Sequence, residues 1–115
     1  MLRIGELAER SGVSVRALRY YEEQGLLDAE RTPAGQRRYP EAAVEKVRFF
    51  QLLYAAGLTS RNIAALLPCI DTGHTDAAQR LMLHTQRDRI RERIDELGAA
   101  LGKLDEIIAV TATHP

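Results

Sequence analysis

Arginine and tyrosine side chains gather in two short stretches of this 115-residue sequence. The first stretch holds three arginines with no acidic residue between them, followed by a tyrosine: Arg10, Arg16, Arg19 and Tyr20. The second is also basic, and two further cations follow its tyrosine: Arg31, Arg37, Arg38, Tyr39, Lys46 and Arg48. A guanidinium group can donate to guanine edges or phosphates, and a tyrosine hydroxyl to phosphates. These residue types therefore predict two nucleic-acid contact clusters.

The first cluster falls on a predicted helix-turn-helix. Apolar residues three and four positions apart indicate a first helix over Arg3–Arg10, which Gly12 interrupts. Ser14 is a natural N-cap for a second helix that runs from Val15 to about residue 24, where Gly25 closes it. Two short helices joined by about four residues including a glycine match this motif. We expect the second helix to direct its arginines outward.

The second cluster flanks a predicted hairpin. Residues 26–39 show no helical periodicity, and the segment Thr32–Gly35 is a turn signal between two short extended segments.

Two more helices are predicted after the hairpin. Pro40 suits the first position of a third helix that ends near Ala56, before Gly57. Thr59 can cap a fourth helix, and Pro68 is expected to stop it. Residues 69–73 then form a connection, which sets the expected division into a domain of residues 1–70, a linker of residues 71–74 and a helix with a short tail over residues 75–115.

The last of these segments carries a heptad pattern. Its apolar residues are spaced alternately by four and three: Ile90, Ile94, Leu97, Leu101, Leu104 and Ile108. This is the period of a coiled coil. A lone helix of this kind would leave its apolar stripe in water, and the sequence offers no second long helix. The pattern therefore predicts a homodimer.

An antiparallel direction uses every core residue of that coiled coil. It pairs Ile94 with Leu104 and brings Arg91 toward Asp105 of the partner subunit. It also places residues 98–100, Gly-Ala-Ala, where the helices cross. Close approach is one reason for glycine there; the other interpretation is that Gly98 and Gly102 are simply poor helix formers.

Composition limits the remaining possibilities. Sixteen basic and sixteen acidic residues give no net charge, which argues against a bulk electrostatic binder but allows a local basic face. The acids are expected largely outside the two clusters: Glu6, Glu9, Glu22, Glu23, Asp28, Glu30, Glu41 and Glu45. A single cysteine, no apolar run near ~20 residues and no apolar block at the start predict a cytoplasmic protein without a membrane span.

The sequence resembles the MerR family of bacterial transcription regulators. The resemblance rests on residues 4–8 (IGELA), 12–22 (GVSVRALRYYE), 25–27 (GLL) and 38–39 (RY), and it continues through residues 44–50 and 56–58 to the final coiled coil. It implies a mostly α fold: a winged helix-turn-helix domain with a small β-hairpin wing, then a long antiparallel dimerisation helix. It also implies a homodimer that binds an inverted repeat in double-stranded promoter DNA. The dimer would bend and undertwist an overlong promoter spacer so that RNA polymerase can use both promoter elements.

The resemblance also implies roles for individual residues. Val15 and Arg16 would approach bases, and Ser14 lies beside them. The DNA backbone would be held by a second group: Arg19, Tyr20, Arg37, Arg38 and Tyr39.

What such a protein senses is a separate question. Metal-binding members carry a Cys or Ser where the long helix starts and cysteines in a loop at its end, whereas this sequence has His74 and Thr75 at the start and no cysteine at the end. Soft metals need thiolates, so we expect no mercury or copper(I) site, no cofactor and no iron–sulfur cluster. The effector is left unassigned, with a possible region at Cys69, His74, Thr75 and His84.

Cys69 itself has several interpretations. It is a partly buried small hydrophobe, a reactive thiol, or one ligand of a zinc-like site with Asp71, His74 and His84, although that spacing fits no standard ligand pattern.

Three other functional classes are alternatives. An effector-independent repressor or architectural DNA-binding protein shares every DNA contact. An enzyme is not supported, because the sequence has no nucleophile set, no phosphate loop and no carboxylate pair. A coiled-coil adaptor leaves the two basic clusters without a role.

Overall fold

The computed structural model describes residues 1–114, which divide into a compact unit, Met1–Gln79, and a second unit from Arg80 onward. Five helices and one two-stranded sheet follow in this order: α1 (Ile4–Ser11), α2 (Val15–Glu23), β1 (Glu30–Arg31), β2 (Arg37–Arg38), α3 (Ala43–Ala55), α4 (Ser60–Thr72) and α5 (Ala77–Thr113). The predicted mostly helical fold, with a hairpin and a long last helix, is confirmed.

Local capping signals fix the first two helices. Gly12 adopts a left-handed φ of 78° and donates its backbone N–H to the Ala8 carbonyl at 3.0 Å. Ser14 Oγ accepts the backbone N–H of Ala17 at 3.0 Å, which satisfies a donor that the first turn of α2 leaves unpaired. The predicted turn and cap are confirmed.

The antiparallel hairpin of β1 and β2 pairs Glu30 with Arg38 and Arg31 with Arg37. Gly35 turns the chain with a φ of 80° and donates to the Thr32 carbonyl at 2.8 Å. Beyond β2 the backbones of Tyr39 and Leu2 exchange two hydrogen bonds of 2.7 and 2.8 Å. This bridge attaches the hairpin to the start of the chain.

The core of the first unit lies between its four helices. Leu7 of α1, Leu18 of α2, Val47 and Phe50 of α3 and Ile63 of α4 have no exposed surface. Each such side chain contributes roughly 1.5–3 kcal/mol of burial free energy. The core therefore holds α2 by its apolar face.

The predicted start of the third helix is wrong. The Pro40 carbonyl accepts the Ala43 N–H at 3.0 Å and the Glu41 carbonyl accepts the Val44 N–H at 3.2 Å, so these residues form a tight turn. The helix begins at Ala43, because these three-residue bonds precede its regular ladder.

The predicted stop at Pro68 is also wrong. Helix α4 continues through Pro68 to Thr72 and ends at Gly73, which has a φ of 76° and donates to the Cys69 carbonyl at 2.7 Å. Proline removes one backbone donor but leaves its own carbonyl available, and Thr72 Oγ1 donates to that carbonyl at 2.9 Å. Residues 69–72 are therefore helical and not a linker.

The first unit likewise extends beyond the predicted residue 70. Gln79 Nε2 donates to the Ala65 carbonyl of α4 at 3.3 Å, and the unit ends at Gln79. The connection between α4 and α5 spans residues 73–76.

Helix α5 has 37 residues and is about 55 Å long at 1.5 Å per residue. None of its residues is buried in the single chain, and its heptad positions are exposed by between 46% at Ile90 and 65% at Leu97. No helix in the described part of the chain is long and apolar enough to cross a membrane.

Pro68→Ala is expected to stabilise the first unit, because alanine restores the missing helix donor at an exposed position. We expect a gain of about 1–3 kcal/mol, measured by urea unfolding followed by circular dichroism. Pro33→Ala, in the hairpin turn, is the control and should not stabilise. Equal effects of the two substitutions would contradict a continuous α4.

Candidate nucleic-acid interface

Helix α2 presents the residues of the first predicted cluster on one face. Leu18 and Tyr21 are buried, whereas Arg16, Arg19 and Tyr20 are exposed. Within residues 1–114, Arg16 and Arg19 form no hydrogen bond or ion pair. Their guanidinium donors are therefore available to a ligand at the surface.

Tyr21 fastens this helix to α3. Its ring stacks on Tyr54 at 5.8 Å between centroids and 15° between planes, and it meets Phe50 edge-on at 5.8 Å. Gln51 Nε2 donates to the Tyr21 hydroxyl oxygen. Burial raises the pKa of Tyr21, and the neighbouring Tyr54 adds to that shift.

Tyr20 connects the same face to the start of α4. Its hydroxyl lies 3.2 Å from Ser60 Oγ, which in turn lies 2.5 Å from the Tyr54 hydroxyl. No sequence pattern indicated Ser60 as part of this face. Its contact with Tyr20 spans forty positions, so no local signal could have shown it.

Beside α2 lies the hairpin β1–β2, which we call the wing. Arg37 is half exposed, and its Nη1 donates to Glu22 Oε2 of α2 at 2.5 Å. Arg38 donates to the Arg37 carbonyl at 2.8 Å and to Gln36 Oε1 at 2.7 Å. The wing and α2 are thus joined through the side chain of Glu22.

Tyr39 does not reach the surface. Its side chain is fully buried, and its hydroxyl donates to Glu22 Oε1. The expected contact between Tyr39 and the DNA backbone does not fit this placement, because the bridge to Leu2 turns the ring into the core. Burial, then the hydrogen bond to Glu22, raises the pKa of Tyr39 to about 12.

Ion pairs neutralise part of the predicted basic surface. The unit Met1–Gln79 contains ten basic and ten acidic residues. Four described pairs are Arg10–Glu41, Arg37–Glu22, Lys46–Asp71 and Arg48–Glu45. The expectation that the acids lie largely outside the clusters is wrong for Glu22, Glu41 and Glu45, which pair with cluster residues. Of the two clusters, Arg16, Arg19, Arg31 and Arg38 are left without an acidic partner among the described residues.

The four residues of the possible effector region fall in different places. Cys69 lies half-buried in the last turn of α4, and His74 and Thr75 lie in the connection of residues 73–76. His84 is an exposed residue of α5 in the second unit. No group of three or more His, Cys, Asp or Glu side chains within residues 1–114 is arranged to hold a metal ion. Asp71 instead pairs with Lys46 at 3.3 Å.

A helix-turn-helix with exposed arginines on its second helix and a two-stranded wing beside it defines a winged helix-turn-helix DNA-binding protein. The sequence profile described as MerR HTH family regulatory protein matches residues 2–69. A mercuric resistance operon regulatory protein of Serratia marcescens is 36% identical over 108 residues, which cover 93% of this chain and 74% of the relative. The chain belongs to the MerR family. It is therefore a transcriptional regulator and not an enzyme.

Solved structures of the family match the same fold. A transcription regulator from Ralstonia metallidurans, solved in complex with lead(II), has a TM-score of 0.79 and 27% identity, over 92% of this chain and 84% of that one. HiNmlR, a family member without the sensor domain that was solved bound to promoter DNA, has a TM-score of 0.62 and 25% identity, over 94% and 87%.

The position of Tyr39 predicts a pH dependence of stability. The unfolded chain loses a tyrosine proton near pH 10, whereas folded Tyr39 keeps its proton to about pH 12. Its contribution to stability is therefore complete below pH 10 and is lost as the pH rises from 10 to about 12. Urea unfolding should show that the difference in free energy of unfolding between the parent protein and Tyr39→Phe disappears over that pH interval.

Tyr20→Phe is the control, because Tyr20 is 44% exposed. The difference in free energy of unfolding between Tyr20→Phe and the parent protein should stay constant with pH. A constant gap for Tyr39→Phe as well would contradict the raised pKa.

Proposed function

We propose that this chain binds an inverted repeat within a promoter spacer as a homodimer and distorts the DNA so that RNA polymerase can use both promoter elements. The observation that carries the proposal is the exposed, unpaired face of α2 with Arg16 and Arg19, set beside the wing. Arg16 and Val15, near the start of α2, would approach base edges in the major groove. Arg19, Tyr20, Arg37 and Arg38 would hold the backbone.

The dimer would form through the heptad stripe of α5. All six stripe residues are exposed in the single chain: Ile90, Ile94, Leu97, Leu101, Leu104 and Ile108. Contiguous apolar surface of this length is costly in water, and a second copy of the stripe covers it with matching knobs and holes.

The charges of α5 favour the antiparallel direction. Residues 80–93 carry five arginines and two acids, whereas residues 94–114 carry four acids and one lysine. Antiparallel pairing places the basic half of one helix along the acidic half of the other, with Arg91 near Asp105 of the partner subunit. Parallel pairing would place like charges together.

A twofold dimer presents two winged helix-turn-helix units, which suits an operator with twofold sequence symmetry. Distortion of the spacer would then be indirect readout, because the protein stabilises a DNA shape at base pairs it does not touch. A regulator of transcription acts where the chromosome is, so we place it in the bacterial cytoplasm. Transcription in vitro from the regulated promoter tests this mechanism: an increase with bound protein supports distortion, whereas repression alone favours the effector-independent repressor.

Arg16→Ala and Arg19→Ala are expected to weaken DNA binding in different ways. Arg16→Ala should cost about 1–3 kcal/mol on the preferred duplex and relax its sequence preference, because a base contact is lost. Arg19→Ala should weaken binding evenly across sequences and reduce the salt slope by about 1, because a phosphate contact is lost. Titration of selected and scrambled duplexes at several salt concentrations measures both, and equal losses on both duplexes for both variants would contradict the assigned roles.

Leu101→Glu is expected to convert the dimer into a monomer, because it places a charge in the apolar seam. Gel filtration with light scattering at micromolar concentration measures the mass. Ala109→Glu adds the same charge next to the seam residue Ile108 but on the outer face of the heptad, and should remain dimeric. A compact monomer for the parent protein would overturn the dimer.

The direction is tested by oxidative cross-linking in a Cys69→Ser background. The double variant Ile94→Cys/Leu104→Cys should cross-link efficiently, since these positions face each other in antiparallel helices. Efficient cross-linking of Ile94→Cys alone would instead indicate parallel helices.

A further inference from the structure

The end of helix α2 and strand β2 enclose a surface notch of about 310 Å³. Four charged side chains line it, two of each sign: Arg19, Arg37, Glu22 and Glu23. Arg19 has no partner among the described residues, whereas Arg37 is paired. A phosphate group is small enough for this volume and would meet two guanidinium groups there.

The two glutamates of the notch are not equivalent. Glu22 is 14% exposed, and both of its oxygens are in use, Oε2 by Arg37 and Oε1 by Tyr39. Glu23 is exposed and makes no hydrogen bond or ion pair with any described residue. Glu22 is therefore part of the fold, while Glu23 is an ordinary surface acid at the same place.

Arg37 keeps unused N–H donors when it is paired with Glu22. A guanidinium group has five N–H donors, and the contact with Glu22 uses Nη1. The Arg37 side chain is 50% exposed, so the remaining donors can face the notch. Since Tyr39 anchors the other oxygen of Glu22 from the core, the position of Arg37 is set by the folded wing and not by solvent.

We propose that Glu22 is a positioning residue which makes the Arg37 contact selective for one backbone phosphate, seated between Arg37 and Arg19. This rests on the proposed DNA-binding function. A duplex that brings a phosphate into the notch finds Arg37 already oriented. In the notch the unpaired Arg19 offsets the repulsion by the Glu22 carboxylate. A phosphate placed elsewhere along the wing lacks Arg19 and meets an arginine whose charge Glu22 has cancelled. Glu22 therefore lowers affinity for non-cognate DNA more than for the operator.

The test compares Glu22→Gln with Glu23→Gln. Both substitutions remove one negative charge from the same notch with almost no change in volume, but only Glu22→Gln releases Arg37. The full chain is first used to select a duplex from a random pool that can hold two half-sites. Dissociation constants are then measured for that duplex and for a scrambled duplex of equal length and composition, at one salt concentration.

Glu23→Gln should tighten both duplexes by a similar factor and leave their affinity ratio unchanged. Glu22→Gln should tighten the scrambled duplex but not the selected one, so that the ratio falls by at least about fivefold, or about 1 kcal/mol. In an Arg37→Gln background, Glu22→Gln should lower the ratio no further than Glu23→Gln does. Equal ratios for the two glutamate variants would overturn the proposal.

Two further results distinguish failure of the Glu22 role from failure of DNA binding and from failure of the variant to fold. If the parent protein selects no duplex, the proposed DNA-binding function fails and not only the role of Glu22. If circular dichroism shows that Glu22→Gln does not fold, Tyr39→Phe decides: it removes one anchor of Glu22 without a change of charge. We expect it to lower the ratio by about twofold or more, and an unchanged ratio would overturn the proposal.

Discussion

The packing of Tyr21 against Phe50 and Tyr54 fixes the face that helix α2 turns toward solvent. A helix of nine residues has little stability of its own, so its orientation must come from tertiary contacts. With Leu18 and Tyr21 in the core, the helical period leaves Arg16, Arg19 and Tyr20 outside. The surface proposed to face DNA is a consequence of this buried aromatic contact.

Charge arrangement is the second constraint. The unit that carries the helix-turn-helix has no net charge, so long-range attraction cannot supply most of its affinity for DNA. Ion pairs neutralise Arg10, Lys46 and Arg48 away from α2, while the arginines of α2 lack acidic partners. Arg10, Lys46 and Arg48 therefore offer less to a phosphate than the arginines of α2, because each has a carboxylate at 2.5–3.3 Å. Arg37, which pairs with Glu22 beside α2, is the exception within the proposed interface.

Local chemistry explains which features the sequence could predict. Gly12, Ser14 and Thr59 act through bonds that span three or four residues, so their patterns were sufficient for the turn and the caps. Proline at residue 68 also acts locally, but burial of Ile63 and Leu66 earlier in α4 and the Gly73 cap beyond it outweigh one lost hydrogen bond. A rule about one residue could not weigh these contributions.

The errors at Tyr39 and Glu22 have a different origin. Residue type and the family resemblance made Tyr39 a phosphate donor, and residue type alone made Glu22 a distant acid. Their actual contact spans seventeen positions and depends on the hairpin returning beside α2 and on the bridge to Leu2. Such a contact has no periodic signature, so only the folded chain reveals that Glu22 joins the wing to α2 at the proposed interface.

In the proposed dimer, a neutral DNA-binding unit gives the long helix a role beyond holding two copies together. With few unpaired arginines, one unit would hold a half-site weakly at physiological salt, because each phosphate contact is screened. Joining two units makes the second contact intramolecular, at an effective concentration that free units do not reach in solution. Selectivity then requires two half-sites at the correct separation. The exposed stripe of α5 and the balanced charge of the first unit would then act together: the weaker each unit binds alone, the more the symmetry of the proposed operator decides where the proposed dimer stays.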